Sequence, residues 1–476
     1  MSRRYDLVIV GGGTGGLVSA LVAAAVGARV ALVESERTGG DCLWTGCVPS
    51  KSLIAAADLA HRMRHADAVG LQPVDPAIDF TRVMDHVRRS IETIEPHDSP
   101  TRLRDAGIEV IHARGRFTAP GVLDVAGRQL RWRTAIIATG SRPSVPAIPG
   151  LAAAEPLTSD TVWDLRELPT RLIVLGGGPI GCELGQAFAR LGSHVTLLEV
   201  ADRLLPREEP RASELVASRL IADGVDLRLG HRVAAVDSAN ELIVDGPHGR
   251  TEVSFDRILV AAGRAPRTDE LGLDSVGVAV APDGTVVVDE RLRTSNPRIY
   301  AVGDVTGLLA FTHVAAHHAR VATPNALFHL RTKVSQALPA VTFTDPEVAR
   351  VGLTEAQARR RWGEKVTVAH SDYAELDRAI TAGEPHGFAT LVGDPRGRLV
   401  GATVAAPDGG ESIAELTAWL SQGAKIDAVS QAVHAYPTFA EGAARAADQH
   451  IAARYATPRV RRITRGILRA LRAIER

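Results

Sequence analysis

The chain has 476 residues, a length that predicts about three domains. Lysine plus arginine and aspartate plus glutamate each number 55, so the formal charge of zero gives no general attraction to nucleic acid, and the 45% apolar content excludes a wholly disordered chain. Three cysteines are too few for a disulfide-stapled secreted protein, so we expect a cytoplasmic protein whose cysteines are buried or chemically active.

The first predicted elements form a β–turn–α–β unit, with a strand at 6–10, a helix at 17–26 and a strand at 29–33. The turn has the spacing Gly11-x-Gly13-x-x-Gly16, and Glu34 ends the second strand. These glycines allow a tight turn and close approach to a pyrophosphate, which the helix N-terminus attracts. Because Glu34 can also accept hydrogen bonds from a ribose, the unit predicts a dinucleotide site.

Two of the cysteines, Cys42 and Cys47, lie in the run GGDCLWTGCVPSK at 39–51. One interpretation is a pair of small buried hydrophobic residues. The alternative is a redox pair about one helical turn apart, which reaches disulfide geometry if Gly46 and Pro49 distort the helix. A helix start and Lys51 near such a pair would lower a thiol pKa and keep a thiolate reactive.

The β–turn–α–β pattern recurs with a strand at 172–175, a helix at 183–191 and a strand at 194–198. Its turn reads Gly176-x-Gly178-x-x-Gly181, and Glu199 follows the first glycine by 23 residues, as Glu34 follows Gly11. Two such units predict two bound dinucleotides. Glu199 would repel a 2′-phosphate, which favours NADH over NADPH, although Arg203 could weaken that preference.

Beyond residue 336 the pattern predicts a third domain, with strands at 341–343, 389–392 and 400–405 and helices at 412–420 and 443–453. The tail at 458–476 has seven arginines and one glutamate, with apolar residues at helical spacing. We therefore expect a basic amphipathic helix. It either lies on the dimer as a solvated helix or makes peripheral contact with anionic lipid at the inner membrane face.

The run from Gly40 to Lys51 resembles the redox-active segment of the FAD-dependent pyridine nucleotide–disulfide oxidoreductases, which include lipoamide dehydrogenase, glutathione reductase and mercuric reductase. The resemblance extends from residue 5 to about 457 and includes ATG at 138–140, AGR at 262–264, AVGD at 301–304 and FTDPE at 343–347. It implies an α/β fold with two Rossmann-like dinucleotide-binding domains and a C-terminal α+β dimerisation domain. The implied boundaries are 1–149 and 271–336 for the two parts of the FAD-binding domain, 150–270 for the NAD(P)-binding domain, 337–456 for the dimerisation domain and 457–476 for the tail.

The resemblance also implies roles for individual residues. Electrons would pass from NAD(P)H to FAD and then to the Cys42–Cys47 disulfide, with Cys47 as the flavin-side thiolate and Cys42 as the attacking thiol. Lys51 would lie beside the flavin, paired with Glu183, and no metal is expected. The implied cofactor contacts are Gly11, Gly13, Gly16, Glu34, Lys51, Gly115, Thr139, Gly140, Asp304 and Thr312 for FAD, and Gly176, Gly178, Gly181, Glu199 and Gly263 for NAD(P).

One segment departs from the family pattern. Disulfide reductases of this family have a His-Pro-Thr-x-x-Glu loop, whose histidine exchanges protons with the thiols and completes the partner subunit's active site. Here residues 434–441 read HAYPTFAE, which puts Tyr436 at the histidine position and Glu441 at the glutamate position. A phenol with an ordinary pKa of about 10 is a poor base, so His434 is an alternative acid–base residue. Mercuric reductases also have a tyrosine near this place, but they use a C-terminal cysteine pair, and no cysteine follows Cys182 here.

The resulting hypothesis is a homodimeric FAD-dependent NAD(P)H disulfide oxidoreductase with a sulfur-type or metal small-molecule acceptor, similar to mercuric reductase or dihydrolipoamide dehydrogenase. Two alternatives stay open. One is a quinone or diaphorase-type reductase that works directly from the flavin, and the other is a non-catalytic redox sensor. No nucleic acid partner is expected.

Overall fold

The computed structural model describes residues 4–237 and 240–475. Residues 1–3 of the predicted FAD-binding domain and Arg476 of the predicted tail lie outside this range. The chain divides into two compact units. The first unit contains the residues up to Arg64, Val74–Asp202 and Asp223–Ser335, and the second contains His65–Pro73, Arg203–Ala222 and the residues from Gln336 onward.

Strands and helices alternate through most of the first unit, and a run of strands precedes the last helices of the second. The strands are β1 (Tyr5–Val10), β2 (Val30–Glu34), β3 (Glu109–His112), β4 (Gly115–Ala119), β5 (Val122–Val125), β6 (Arg128–Ile137), β7 (Ser141–Pro143), β8 (Leu157–Thr158), β9 (Arg171–Leu175), β10 (His194–Glu199), β11 (Asp226–Leu229), β12 (Arg232–Val236), β13 (Glu241–Gly246), β14 (Gly249–Ser254), β15 (Arg257–Val260), β16 (Arg264–Pro266), β17 (Ile299–Ala301), β18 (Pro339–Thr342), β19 (Glu347–Gly352), β20 (Thr367–Asp372), β21 (Phe388–Gly393) and β22 (Leu399–Ala406). The helices are α1 (Thr14–Ala25), α2 (Gly40–Trp44), α3 (Cys47–Arg64), α4 (Phe80–Ile94), α5 (Pro100–Asp105), α6 (Pro179–Leu191), α7 (Pro210–Ala222), α8 (Thr312–Phe328), α9 (Glu355–Trp362), α10 (Asp377–Ala382), α11 (Gly409–Ser421), α12 (Ile426–Gln431), α13 (Glu441–Tyr455) and α14 (Pro458–Ile474). The α/β fold class is confirmed.

The first sheet has the strand order β3-β2-β1-β6-β5-β4, and β17 also pairs with β6. Strand β1 runs parallel to both of its neighbours, with Leu7 opposite Val30. Its residues Leu7–Val10 are buried whichever face they point to, as expected for a parallel strand covered on both sides. Because carboxyl ends of parallel strands share one edge, this pairing brings the turn at Gly11 beside Glu34.

The second sheet repeats this arrangement with five parallel strands in the order β11-β10-β9-β15-β8. Strand β9 pairs with β10 so that Leu172 lies opposite Val195. The turn at Gly176 therefore lies beside Glu199, just as Gly11 lies beside Glu34. Strands β12–β14 form a separate antiparallel sheet.

Helices α1 and α6 begin three and four residues before the predicted positions. The periodicity missed their first turns, which read TGG in α1 and PIGC in α6, because threonine, glycine and proline interrupt the apolar spacing there. Proline suits the first turn of α6, where its missing N–H would have no partner within the helix. The β–turn–α–β pattern itself is confirmed in both places.

The second unit is built on an antiparallel sheet with the order β18-β19-β22-β21-β20. Helix α13 packs on β20 and β21, and α11 packs on β19 and β22. Their buried contact is formed by apolar residues that include Leu391, Val404, Leu416 and Ala446. Helix α14 contributes no buried residue to this core.

Candidate redox-active site

The first glycine turn permits a very close approach of helix α1 to strand β1. Gly11 has a φ of +106°, a conformation that favours glycine. A Cβ on Gly16 would lie 1.9 Å from the carbonyl oxygen of Gly11, so a larger residue cannot replace it without a shift of the backbone. The carboxylate of Glu34 accepts a hydrogen bond from the N–H of Gly12 at 2.5 Å. This bond holds the glutamate beside the turn.

The second glycine turn has the same geometry. Gly176 has a φ of +113°, and a Cβ on Gly181 would lie 1.9 Å from the carbonyl oxygen of Gly176. The carboxylate of Glu199 accepts a hydrogen bond from the N–H of Gly177 at 2.6 Å. The two turns therefore repeat both the close helix approach and the placement of the glutamate.

The residues at both turns fit a dinucleotide. Among the described residues, no side chain caps the N-terminus of α1 at Gly13 or of α6 at Gly178. Backbone N–H groups at these helix starts are therefore suited to an anionic pyrophosphate, which the helix dipole also favours. In the second unit, Arg203 donates a hydrogen bond to the carbonyl oxygen of Pro206 at 2.7 Å.

Further residues expected at the FAD site follow neighbouring strands of the first sheet. Thr139 comes after β6, beside the carboxyl end of β1, and its hydroxyl donates to the carbonyl oxygen of Arg267 at 2.7 Å. Asp304 accepts a hydrogen bond from the hydroxyl of Ser141 at 2.7 Å. The other predicted FAD contacts are Gly140 (φ +67°) after β6, Gly115 at the start of β4 and Thr312 at the start of α8. Gly263 (φ +130°), a predicted NAD(P) contact, follows β15 of the second sheet.

The two cysteines lie where helix α2 ends and helix α3 begins. Cys42 belongs to α2, and Cys47 is the first residue of α3. Between them, a Cβ on Gly46 would lie 2.8 Å from the carbonyl oxygen of Asp41, so glycine allows the chain to fold back sharply here. Both thiols are free, and they hydrogen-bond to each other. The helix is thus interrupted between the cysteines, at the position where the sequence predicted a distortion.

The surroundings of Cys47 favour its thiolate. The thiol of Cys42, then the hydroxyl of Thr312 and the charge of Lys51, lower the pKa of Cys47 to about 6 against the effect of burial. Its sulfur lies 3.2 Å from the Thr312 hydroxyl, and both residues begin helices, α3 and α8, whose positive N-terminal ends favour an anion. Conversely, hydrogen bonding to Cys47 and burial raise the pKa of Cys42. At pH 7 the pair therefore contains a Cys47 thiolate and a Cys42 thiol.

An ion pair links the cysteine helix to the helix of the second glycine turn. The Nζ of Lys51 on α3 lies 2.8 Å from a carboxylate oxygen of Glu183 on α6. The Glu183 side chain is 8% exposed and that of Lys51 34%. The structure therefore brings Glu183 to Lys51 and Cys47, although Glu183 lies 132 residues after Lys51 in the sequence.

A second polar cluster, which the sequence motifs did not predict, surrounds the residue that precedes Cys42. Arg264 pairs with the carboxylate of Asp41 and also donates to the hydroxyl of Ser141 at 2.7 Å. The same hydroxyl donates to Asp304, and burial raises the pKa of Asp41. Two sequence features could have pointed to this cluster: Arg264 is the last residue of the AGR motif, and Asp41 is adjacent to Cys42. Their separation of 223 residues concealed the contact.

In the second unit, the predicted acid–base segment makes contacts that its family pattern did not indicate. An imidazole nitrogen of His434 lies 2.9 Å from a carboxylate oxygen of Glu415 on α11. The hydroxyl of Tyr436 donates to Asp377 on α10 at 2.7 Å, and this bond raises the pKa of Tyr436. His434 is mostly buried, whereas Tyr436 is 68% exposed. The two residues therefore have different partners and different access to solvent.

Glu441 also has a partner other than the expected base. Its carboxylate pairs with Arg445 at 3.2 Å, one turn along helix α13. Arg445 pairs in turn with Asp377 at 3.1 Å. Tyr436, Asp377, Arg445 and Glu441 thus form one chain of polar contacts. The catalytic roles of His434, Tyr436 and Glu441 stay predictions.

The third cysteine, Cys182, is fully buried, with its thiol 3.4 Å from the carbonyl oxygen of Gly177, so it is a core residue. Within residues 4–237 and 240–475, no cluster of three or more histidine, cysteine or acidic side chains is arranged to hold a metal ion. In the same part of the chain, every helix is too short or too polar to cross a bilayer.

Comparison with family models gives matches along most of the chain. A model described as pyridine nucleotide-disulphide oxidoreductase matches residues 5–319, and the dimerisation domain of that family matches residues 338–447. Helix α14 begins after both matched segments.

Named relatives and solved structures agree with these matches. Mercuric reductase of Streptomyces lividans is 37% identical over 452 residues, which cover 92% of this chain and 94% of that protein. Dihydrolipoyl dehydrogenase of Chlamydia muridarum is 32% identical, with coverage of 93% and 96%. The Cu(II) complex of the HOCl-induced flavoprotein disulfide reductase RclA from Escherichia coli superposes with a TM-score of 0.83 at 29% identity, covering 94% of this chain and 99% of that one. LpdA from Mycobacterium tuberculosis gives 0.83 at 28% identity, covering 93% and 99%.

Proposed function

The chain belongs to the pyridine nucleotide–disulphide oxidoreductase family, and on this premise we propose that it passes electrons from NAD(P)H through FAD and the Cys42–Cys47 pair to a thiol-reactive acceptor. It is an enzyme of the FAD-dependent NAD(P)H disulfide oxidoreductase class, with FAD and NAD(P)H as its cofactors. Because the chain belongs to this class of enzymes, we set aside the alternative of a non-catalytic redox sensor.

When bound, FAD supplies a group that accepts a hydride from NAD(P)H and delivers an electron pair to the disulfide. We assign FAD to the first glycine turn and NAD(P)H to the second. Glu199 supports a preference for NADH, because its carboxylate would lie near a 2′-phosphate. Arg203, which could weaken this preference, donates one hydrogen bond to the carbonyl oxygen of Pro206 and keeps its positive charge. The proposed FAD contacts are Gly11, Gly13, Gly16, Glu34, Lys51, Gly115, Thr139, Gly140, Asp304 and Thr312, and those for NAD(P)H are Gly176, Gly178, Gly181, Glu199 and Gly263.

The observation that carries the proposal is the placement of Cys47 at the start of helix α3, with its sulfur 3.2 Å from the hydroxyl of Thr312 at the start of α8 and its thiol hydrogen-bonded to Cys42. Cys47, with a pKa of about 6, is the thiolate to be held against the flavin, and Cys42 keeps its proton until it attacks the acceptor. Lys51 would stabilise the negative charge that reduction places on the flavin, and Glu183 would hold its ammonium in position. Electron transfer by this route needs both cysteines, because Cys47 interacts with the flavin and Cys42 attacks the acceptor.

For the acceptor, Tyr436 favours a thiophilic metal ion over an organic disulfide. Reduction of a disulfide by NADH consumes one proton and yields two thiols, so a positioned acid–base group assists the leaving thiol. Reduction of a free Hg²⁺ ion by NADH yields Hg⁰, NAD⁺ and one proton, because the metal displaces the Cys42 proton when both sulfurs bind it, and no substrate thiol leaves. A phenol whose pKa is raised further by Asp377 is therefore a smaller handicap for a metal acceptor. The relatives named mercuric reductase and the copper complex of RclA agree with this choice.

We also propose that the enzyme is a homodimer, since residues 338–447 match the family's dimerisation domain. In such a dimer, the Tyr436 segment of one protomer would approach the thiols of the other, as the family pattern implies. Light scattering of the FAD-loaded enzyme should give twice the monomer mass. The cytoplasmic location stays a prediction.

The test is anaerobic titration with NADH, followed by a panel of acceptors that includes Hg²⁺, Cu²⁺, small disulfides and quinones. We expect long-wavelength thiolate-to-flavin absorbance at two-electron reduction and the highest turnover with a metal ion. Cys42→Ser should abolish turnover with thiol-reactive acceptors while leaving flavin reduction by NADH intact. Cys182→Ser, which changes a buried cysteine outside the pair, is the matched control.

A second function is a quinone or diaphorase-type reductase that works directly from the flavin. The observation that favours it is the same replacement of a histidine by Tyr436, because flavin-direct transfer needs no thiol base. If Cys42→Ser retains full turnover with quinones and the wild-type enzyme shows no thiol-dependent turnover, this alternative replaces the first proposal.

A further inference from the structure

The last helix of the described chain has a sharply defined start and no buried side chain. Helix α14 follows α13 after a break of two residues. The hydroxyl of Thr457 accepts a hydrogen bond from the N–H of Val460, and Pro458 occupies the first helical turn. Large apolar side chains are left open to solvent, with exposures of 54% for Ile463, 55% for Ile467, 48% for Leu468, 50% for Leu471 and 81% for Ile474.

The helix has two chemically distinct faces. At 100° per residue, one side collects the apolar residues Val460, Ile463, Ile467, Leu471 and Ile474. The opposite side carries Arg461, Arg462, Arg465, Arg469 and Arg472. Arg459 lies at the boundary between the two sides. Pro458–Ile474 contains no acidic residue.

The charge of this segment is opposite to that of the remaining chain. Residues 458–476 hold seven of the 55 lysines and arginines but only one of the 55 aspartates and glutamates. The tail thus has a surplus of six positive charges, and the rest of the chain has an equal surplus of negative ones. A strong positive charge and a broad apolar face coincide in this single helix.

These properties distinguish between the surfaces that could cover the helix. Nucleic acid would engage the arginines but leave five large apolar side chains in water. A second copy of the helix would cover the apolar face, yet it would bring arginines close to arginines without any acidic partner in the helix. A bilayer with anionic headgroups satisfies both faces, because the apolar side chains enter the acyl boundary while the guanidinium groups contact lipid phosphates.

We propose that helix α14 attaches the FAD-loaded enzyme to the surface of an anionic lipid bilayer. The helix lies parallel to the membrane plane, with Ile463, Ile467 and Leu471 directed into the lipid. Attachment is peripheral and reversible, and it needs both the apolar face and the arginines.

The experiment is flotation of the FAD-loaded full-length enzyme with vesicles. We expect it to float with vesicles that contain phosphatidylglycerol, to stay behind with pure phosphatidylcholine vesicles, and to detach as ionic strength rises. A chain ending at Thr457 and the variant Ile467→Glu should both fail to float. The double variant Arg465→Gln and Arg469→Gln should bind roughly 30-fold more weakly, since each arginine contributes a factor of about five.

The matched control is the double variant Arg82→Gln and Arg89→Gln, which removes the same charge from exposed positions of helix α4 and should float like the wild type. Every tail variant should retain FAD and NADH oxidation, which shows that the enzyme is folded. The proposal is overturned if the wild type does not bind phosphatidylglycerol vesicles or if the shortened chain still binds them. It is also overturned if light scattering shows that deletion of the tail dissociates an oligomer while vesicle binding is absent.

Discussion

The cysteine site in the first unit and the Tyr436 segment in the second differ in how far their side chains are prepared for chemistry. Around Cys47, a thiol, a hydroxyl, a lysine and two helix starts all favour one thiolate. Around Tyr436, the bond to Asp377 makes the phenol harder to ionise, and Glu441 is occupied by Arg445. The cysteine site, which we propose as the electron-donating side, therefore matches what the family resemblance implies, whereas the Tyr436 segment, which we propose as the acceptor side, has contacts that the resemblance did not imply. We therefore expect the acceptor preference of this chain to depend on the Tyr436 segment.

The largest expected effect comes from distorting the first glycine turn, which we propose as the FAD site. Gly16→Ala should almost abolish FAD binding, because the new Cβ would lie 1.9 Å from the carbonyl oxygen of Gly11. Gly466→Ala is the control, since beyond its chain neighbours and the backbone of its own helix no atom lies within 4 Å of the position a Cβ would take there. The ratio of flavin absorbance to protein absorbance in the purified variants measures the effect. Full FAD content in Gly16→Ala would show that the turn is not the flavin site.

A large gain in turnover is expected when the Tyr436 segment is given the histidine that the family loop has at this position. Tyr436→His should raise turnover with small disulfides by roughly 100-fold, because a positioned imidazole exchanges protons at neutral pH. Turnover with Hg²⁺ should change little, since that reaction protonates no leaving thiol. Steady-state NADH oxidation with both acceptors checks this. Equal effects on both acceptors would contradict the argument that Tyr436 selects the acceptor.

A smaller effect concerns the ionisation of Cys47. The long-wavelength absorbance of the two-electron-reduced enzyme should appear as pH rises through about 6, because Cys47 is protonated below its lowered pKa and is a thiolate above it. Lys51→Met removes a favourable charge and should move the midpoint up by about one pH unit.

Glu183→Gln provides the sign test for this titration. The carboxylate of Glu183 raises the pKa of Cys47, so its removal should move the midpoint downward. Spectra recorded across a pH series for both variants give the two midpoints. Shifts in the same direction would show that the ion pair acts on the sulfur through structure rather than charge.

The smallest expected effect is on thermal stability, and it compares the exposed hydroxyl of Tyr436 with the buried hydroxyl of Tyr373. Tyr436→Phe removes an exposed hydrogen bond to Asp377, so the unfolding temperature should change by less than about 2 °C. Tyr373→Phe is the matched comparison, because that hydroxyl is buried and donates to the carbonyl oxygen of Phe439 at 2.8 Å. Losing this bond should cost about 1 kcal/mol or more. Thermal unfolding of both variants checks the order.

The sequence was informative where one local segment determines the structure. Both β–turn–α–β units, the break between Cys42 and Cys47 and helix α14 each depend on glycine positions or periodicity within about thirty residues. The predicted starts of α1 and α6 lie three and four residues too late, because glycine, threonine and proline interrupt the apolar spacing in their first turns.

Contacts between distant segments could not be predicted in this way. Asp377 lies 59 residues before Tyr436, and Arg264 lies 223 residues after Asp41. Periodicity and propensity describe one segment at a time, whereas these pairs depend on how several elements pack. For this reason the sequence identified Tyr436 as a departure without revealing that Asp377 would raise its pKa.

The opposite charges of the tail and the remaining chain have a practical consequence for the purified protein. The intact chain is formally neutral, but a product cut after Thr457 would lose six net positive charges. Isoelectric focusing would therefore resolve proteolytic loss of the tail as a marked acidic shift, even where the mass difference is hard to see on a gel. A preparation should be checked for this shift before its behaviour on ion-exchange columns is interpreted.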